Sequence, residues 1–300
     1  MRIVTTLLRE KYTVIEADTT NIKELMGNIR TKIHREAMEA PIMMEELEAA
    51  VRMGKSNKAP GSDGINTDFF KIMWNAIKSD LLCILNEMFI EGTITEGQKK
   101  GIMVCVPKRN DPRGLQDYRT LTLLKADYKL LTRIIANRIQ PWLRTALYQN
   151  QYCGMKGRTM LDAVANVRDA IAHAQYTKSP LCIVTLDFTA SFDNILHEYL
   201  FAILKWYGFS DQMQQRIQQL YANITSAVKI NGHISQQIPI KCSIIQGCPL
   251  SMQLYALCLD PLLKALETIM TVYTQGPNLW LIIIRRIINN FHTLYTVNPL

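Results

Sequence analysis

Leu181-Cys182-Ile183-Val184-Thr185-Leu186-Asp187-Phe188 is the stretch on which the fold turns. A continuous apolar run rich in β-branched residues has the pattern of a strand buried on both faces, and it delivers an acid, Asp187, at its end. The flanks have a different period. Leu161 to Gln175 reads as a helix with Leu161, Val164, Ala165, Ile171 and Ala172 on one face, and Asn194 to Tyr207 as a second helix closed by Gly208. A helix near 211 to 223 follows. Ala227 to Ile230 and Ile234 to Ile240 then flank Asn231-Gly232, the strongest short signal for a β-hairpin. Ser251 to Thr268 returns to helical spacing.

Upstream, Ala126 to Leu143 is an amphipathic helix with apolar residues at 130, 131, 134, 135 and 139, leaving Lys129, Arg133 and Arg138 off the stripe. Ile102 to Pro107 is a short strand, followed by a polar loop from Lys108 to Asp117. Asp68 to Phe89 reads as one helix. Lys58 to Gly64 is a loop, and a helix start lies near Pro41 with Glu45-Glu46 in its first turn. Residues 1–50 carry helical periodicity at Ile22, Leu25, Met26, Ile29 and Ile33, the pattern of a leader rather than a site. Mixed helices and strands around a hairpin predict an α+β fold.

Of the 300 residues, 48% are hydrophobic and 20% charged, so a disordered chain is excluded. No apolar run approaches the roughly 18 residues of a membrane span. The N-terminus lacks a secretory core, which predicts an intracellular, nuclear or cytoplasmic, protein without membrane partners. Seven scattered cysteines without C-x-x-C spacing and five isolated histidines argue against zinc or redox chemistry.

The net charge of +8 is unevenly placed. Between Lys99 and Arg158 thirteen Lys or Arg face three acids, a local balance of +10. Such a segment suits a polyanion, because neutralised phosphates release condensed counterions; a solvated basic face is the alternative. At a strand end, Asp187 either ligates a metal or caps the next helix. Asp193 sits where an N-cap belongs, and Phe188 and Phe192 read as packing residues.

Six segments in order resemble the reverse transcriptases of non-LTR (long interspersed element) retrotransposons. They are Lys58-Ala59-Pro60-Gly61-Ser62-Asp63-Gly64-Ile65; Tyr118-Arg119-Thr120-Leu121-Thr122-Leu123-Leu124 with Tyr128-Lys129; Ala136-Asn137-Arg138; Gln151-Tyr152-Cys153-Gly154 with Gly157-Arg158-Thr159; Leu186-Asp187-Phe188 with Ser191-Phe192-Asp193; and Gln246-Gly247-Cys248-Pro249-Leu250-Ser251.

The resemblance implies a right-hand polymerase fold, with fingers, a partial palm and a central antiparallel sheet covered by helices. It implies that Arg119, assisted by Lys108, holds the triphosphate of an incoming deoxynucleotide, a task suited to a planar guanidinium. Asp187, with the Phe188 carbonyl, would ligate catalytic magnesium, and Phe192 would lie under the sugar and exclude a 2′-hydroxyl. Gln246 and Gly247 would border the nucleotide and template pocket, and Lys156 and Arg158 would contact nucleic acid. RNA template, DNA primer and deoxynucleoside triphosphates are the implied partners.

Departures are equally informative. The family's proline after Arg119 is Thr120, Ser191 replaces an alanine, and Met252 replaces a proline. Asp260, beside Pro261 in an amphipathic helix, is expected to cap the second half of that helix; past it there is no aspartate, so the family's Asp-Asp hairpin is not recognisable, and Tyr273 to Leu300 shows no resemblance by motif. The expected organisation is a helical leader (1–50), a fingers-like region (51–180), a partial palm (181–268) and a divergent tail (269–300), truncated before a thumb. The expected function is a reverse transcriptase domain that is catalytically incomplete; the alternative is a non-catalytic nucleic-acid-binding remnant. The Asp187 strand, deprived of the hairpin, is expected to lose its neighbours.

Overall fold

The computed structural model describes residues 2–13, 35–179, 181–188, 190–273 and 279–287. The periodic leader positions from Ile22 to Ile33 lie outside them. Helix α1 (Arg2–Thr13) is followed by α2 (Arg35–Glu39), α3 (Met44–Arg52), α4 (Thr67–Ile72), α5 (Trp74–Asn86) and the short α6 (Glu96–Lys99). Then come β1 (Lys100–Pro107), β2 (Tyr118–Leu123), α7 (Ala126–Ala146), α8 (Met160–Thr177) and β3 (Leu181–Phe188). The order closes with α9 (His197–Trp206), α10 (Asp211–Tyr221), β4 (Thr225–Ile230), β5 (His233–Ile234), β6 (Ile238–Pro239), α11 (Ser251–Tyr273) and β7 (Leu279–Ile287).

The fold is α+β, but its main sheet is mixed rather than antiparallel. The strand order is β2-β1-β4-β5, with β6 also on β4. β1 runs antiparallel to β2 and parallel to β4, Lys100 facing Thr225 and Val104 facing Lys229. A parallel pair needs a long crossover, and the helices between β1 and β4 supply one. The hairpin forms as expected: Lys229 pairs with Ile234, and Asn231 and Gly232 both have positive φ (49° and 81°), the twist-matched type I′ geometry.

β3 forms at the expected residues but outside this sheet. It pairs in parallel with β7, Leu181 opposite Leu279 and Leu186 opposite Ile284. The segment read as a divergent tail thus provides the neighbour that the Asp187 strand was expected to lack. The single helix expected over Asp68 to Phe89 is two, broken at Met73 without a glycine or proline to mark it, and followed by a π turn over Glu87–Glu91. On α8 the expected apolar face is open: Leu161 and Val164 are 78% and 62% exposed.

The core is built around α7. Leu130, Leu131, Ile134, Ile135, Ile139 and Leu143 repeat at helical spacing and are all buried. Trp142 meets Tyr207 and Phe209 edge-on, at centroid distances of 5.6 and 5.1 Å. Each such buried aliphatic side chain contributes about 1.5–3 kcal/mol.

Two polar groups lock this core. Arg138, read as an off-stripe cation, has a side chain only 6% exposed and points inward. Its guanidinium donates to both Glu46 carboxylate oxygens (2.7 and 2.6 Å) and to the carbonyls of Met38 (3.2 Å), Ala40 (2.6 Å) and Pro41 (3.0 Å). Burial alone would raise the Glu46 carboxyl, yet the Arg138 hydrogen bond and the Met43 N–H together hold it below its ordinary value. Asp260, expected to cap the second half of its helix, is fully buried instead. It accepts from the Tyr148 N–H (2.6 Å) and the Tyr207 hydroxyl and pairs with Lys264 (2.5 Å), tying α11 to α9 and to the end of α7.

Candidate functional site

β2 is an edge strand, and an edge strand presents unpaired backbone donors. Here the 246–247 loop covers one of them: the Thr122 N–H donates to the Gln246 carbonyl at 2.8 Å. Gly247 makes that approach possible. Its φ is +116°, and a Cβ there would stand 2.4 Å from the Thr122 oxygen, so no other residue fits without moving the strand. The Ser251 hydroxyl donates to the Ile245 carbonyl at 2.6 Å, fixing the loop to the start of α11.

β2 alternates. Thr120 and Thr122 are buried on one face, while Arg119 is exposed and its side chain has no hydrogen bond or ion pair among the described residues. Arg119 faces Val106 across the ladder, and Pro107 faces Tyr118, so Lys108 stands at the same end of the β1–β2 pair. The Lys108 ammonium donates to the Gln116 carbonyl at 2.9 Å. Asp117 closes the intervening loop by accepting from the Arg113 N–H (2.8 Å), the Arg109 guanidinium and the Gly114 N–H (3.2 Å). These donors hold its carboxyl below the usual range, the Arg113 N–H most of all.

The 190–195 segment is zipped to the same loop. Ile244 N–H donates to the Phe192 carbonyl (2.8 Å) and Ser243 N–H to the Ile195 carbonyl (2.7 Å). The Phe192 ring stacks on Tyr255 of α11 at 4.5 Å and 15°. Asp193 is not the expected N-cap, since α9 begins at His197 with Leu196 in that place. Its carboxylate is buried and accepts from Lys11 Nζ (2.6 Å), the Tyr12 hydroxyl (3.3 Å) and Gln246 Nε2 (3.2 Å). The Tyr12 hydroxyl also lies 3.0 Å from Thr120 Oγ1. Thr120, which departs from the family's proline, therefore makes a contact that proline could not. Burial, and then the Asp193 charge, push the Tyr12 phenol far above its ordinary value. Tyr12, Thr120, Asp193 and Gln246 line a cavity of only ≈ 10 Å³, about the space of one water.

The structure thus gathers Gln246, Gly247, Phe192 and Asp193 around one loop beside β2, while Arg119 lies on the opposite face of that strand from Thr120 and Thr122 and Lys108 follows the end of β1. Asp187 lies on β3 with its side chain outside the described residues, as does the Cys182 side chain; Phe188 faces Ile287. Lys156 is exposed on the loop after α7. On that loop Arg158 donates to the carbonyls of Tyr148 (2.8 Å), Gln151 (2.8 Å) and Arg144 (3.0 Å). Among the described residues no three His, Cys, Asp or Glu side chains converge as a metal site. No helix among them is long and apolar enough to cross a membrane. Lys11 and Tyr12 are functional neighbours that sequence reasoning missed, because their partners lie more than a hundred residues away.

Residues 106–293 match the family described as "Reverse transcriptase (RNA-dependent DNA polymerase)", a span that includes most of the segment without recognisable motifs. The chain is 32% identical over 237 residues to the transposon TX1 uncharacterized 149 kDa protein of Xenopus laevis, covering 79% of this chain and 18% of that protein. It is 25% identical to the retrovirus-related Pol polyprotein from the type-1 retrotransposable element R2 of Popillia japonica, covering 76% and 31%. To the corresponding polyprotein from element R1 of Bradysia coprophila it is 24% identical, covering 73% and 21%. The chain therefore spans less than a third of the length of these relatives.

Proposed function

This chain belongs to the reverse transcriptase (RNA-dependent DNA polymerase) family, as a domain of the non-LTR retrotransposon kind, and we propose that it binds RNA and deoxynucleoside triphosphate without joining nucleotides. The observation that carries the binding half is the seam at β2. An exposed Arg119 guanidinium without a partner among the described residues stands three residues from Thr122, where the Gln246-Gly247 loop is fastened to the strand. A guanidinium fork is chemistry suited to a triphosphate, and a glycine in the neighbouring loop lets backbone come close to the strand. The remaining exposed cations of the 99–158 segment, Lys100, Arg144 and Lys156 among them, supply a charged surface for the RNA backbone.

The second half concerns carboxylates. Magnesium-dependent nucleotidyl transfer asks for acidic oxygens from two elements, free to bind hard cations. The described acids nearest the loop do not fit. Asp193 is paired with Lys11 and hydrogen-bonded to Tyr12 and Gln246, and Asp260 is buried among Tyr148, Tyr207 and Lys264. Asp187 remains as one strand-end acid. Primer extension on an RNA template with magnesium, comparing wild type with Asp187→Ala, tests this directly. No extension is expected from either protein, alongside RNA binding that weakens steeply as salt is raised. Robust extension abolished by Asp187→Ala would overturn the second half, and salt-independent RNA affinity the first.

A further inference from the structure

We infer that helix α1 is a working part of the nucleotide pocket, because through Asp193 it sets which end of the Gln246 side chain faces the ligand. This rests on Gln246 bordering that pocket. A carboxylate can only accept, so the Gln246 amide must turn its NH₂ toward Asp193 Oδ1, where Nε2 lies at 3.2 Å. The amide oxygen then faces away from Asp193, and among the described residues it has no partner. Gln246 therefore presents an acceptor, matched to a hydroxyl or N–H donor on the nucleotide.

Asp193 could not do this alone. Its side chain is 7% exposed, and an unpaired carboxylate so placed would take up a proton or draw in other donors. Lys11 supplies the compensating charge at Oδ2, and the Tyr12 hydroxyl shares Oδ1 with Gln246. Both come from the last turn of α1, which is held in place through the backbone: the Lys241 N–H donates to the Tyr12 carbonyl at 3.0 Å. A helix 182 residues before Asp193 thereby fixes a side chain on the opposite side of it. Asp193 is in these terms a positioning residue, and Lys11 holds its charge.

Equilibrium binding of dTTP to the full chain, in magnesium buffer, tests the assignment. Gln246→Leu and Asp193→Leu are each expected to weaken binding about ten-fold, with the double variant no weaker than either single one, since both remove one orienting hydrogen bond. Asp193→Asn, which keeps an acceptor, should recover most of the affinity, and Lys11→Met and Tyr12→Phe should each weaken it about three-fold. RNA affinity should not change in the Asp193, Lys11 and Tyr12 variants. If Asp193→Leu fails to fold, the Lys11 and Tyr12 variants carry the measurement. Loss of dTTP binding in Gln246→Leu with wild-type affinity in the Asp193, Lys11 and Tyr12 variants overturns the inference and leaves the pocket standing. Absence of dTTP binding by the wild type overturns the pocket itself, and the inference with it.

Discussion

Replacing Arg138 by Met keeps the length of the side chain and removes its guanidinium, which separates two readings of the basic segment. As drawn by the structure, five hydrogen bonds vanish: two to Glu46 and one each to Met38, Ala40 and Pro41. The stacking of the guanidinium over Phe89, at 5.1 Å, goes with them. Removing one partner of a fully buried ion pair costs about 3–5 kcal/mol. Glu46 is 33% exposed, so water recovers part of its solvation and the expected loss is about 2–3 kcal/mol. For a domain of this size that is a fall in melting temperature of roughly 5–10 °C. Arg138→Lys should recover less than half, because an ammonium cannot serve acceptors spread over a planar fork.

The pH dependence follows from Glu46. Its folded pKa lies below 4.5, so the stabilisation is complete above that value and is lost as pH falls beneath it. The difference between wild type and Arg138→Met should therefore shrink in acid. Urea titration followed by circular dichroism measures both effects. A variant within about 0.5 kcal/mol of wild type, the scatter of ordinary surface changes, would refute the inward placement of Arg138. Loss of RNA affinity as large as that of Arg119→Ala would refute it too.

Gly247→Ala should destabilise by about 1–3 kcal/mol, the cost of a side chain in a glycine-only region, and should weaken dTTP binding by freeing the loop from Thr122; wild-type values for both would refute the close approach. In alkali, burial raises the phenols of Tyr12, Tyr128, Tyr207 and Tyr221 above their ordinary 10.0, so the unfolded chain releases protons that the fold retains. Stability should hold below about pH 10 and fall above it, by about 1.4 kcal/mol per pH unit for each such phenol. Tyrosinate absorbance from these four residues should rise only together with the loss of helical circular dichroism.

Local periodicity carried much of this fold. The β3 run, the α7 stripe and the Asn231-Gly232 hairpin each depend on neighbours within a few residues, and each formed where spacing placed it. Arg138 was opaque because a cation off an apolar stripe looks the same whether it meets solvent or a carboxylate 92 residues away. Asp193 and Asp260 were misread for a related reason. Helix capping is a local rule, whereas their partners Lys11 and Tyr148 lie on distant segments. The parallel β1–β4 pairing is likewise a long-range choice. At the site, glycine and arginine chemistry marked Gly247 and Arg119, but nothing near Tyr12 indicated that its hydroxyl meets both Thr120 and Asp193.

The pairing of β3 with β7 sets a timetable for synthesis. Leu181 must wait for Leu279, 98 codons later, before its strand gains a hydrogen-bonded neighbour. At ribosomal rates of about 5–20 residues per second, that is an interval of roughly 5–20 s. A hairpin closes in microseconds, so the β4–β5 turn forms long before. During the interval the nascent chain displays an unpaired apolar strand of eight residues, the kind of segment that recruits foreign edges. Ribosome stalling between codons 188 and 279 would prolong that display, and holdase chaperones that bind extended apolar segments would find their substrate there.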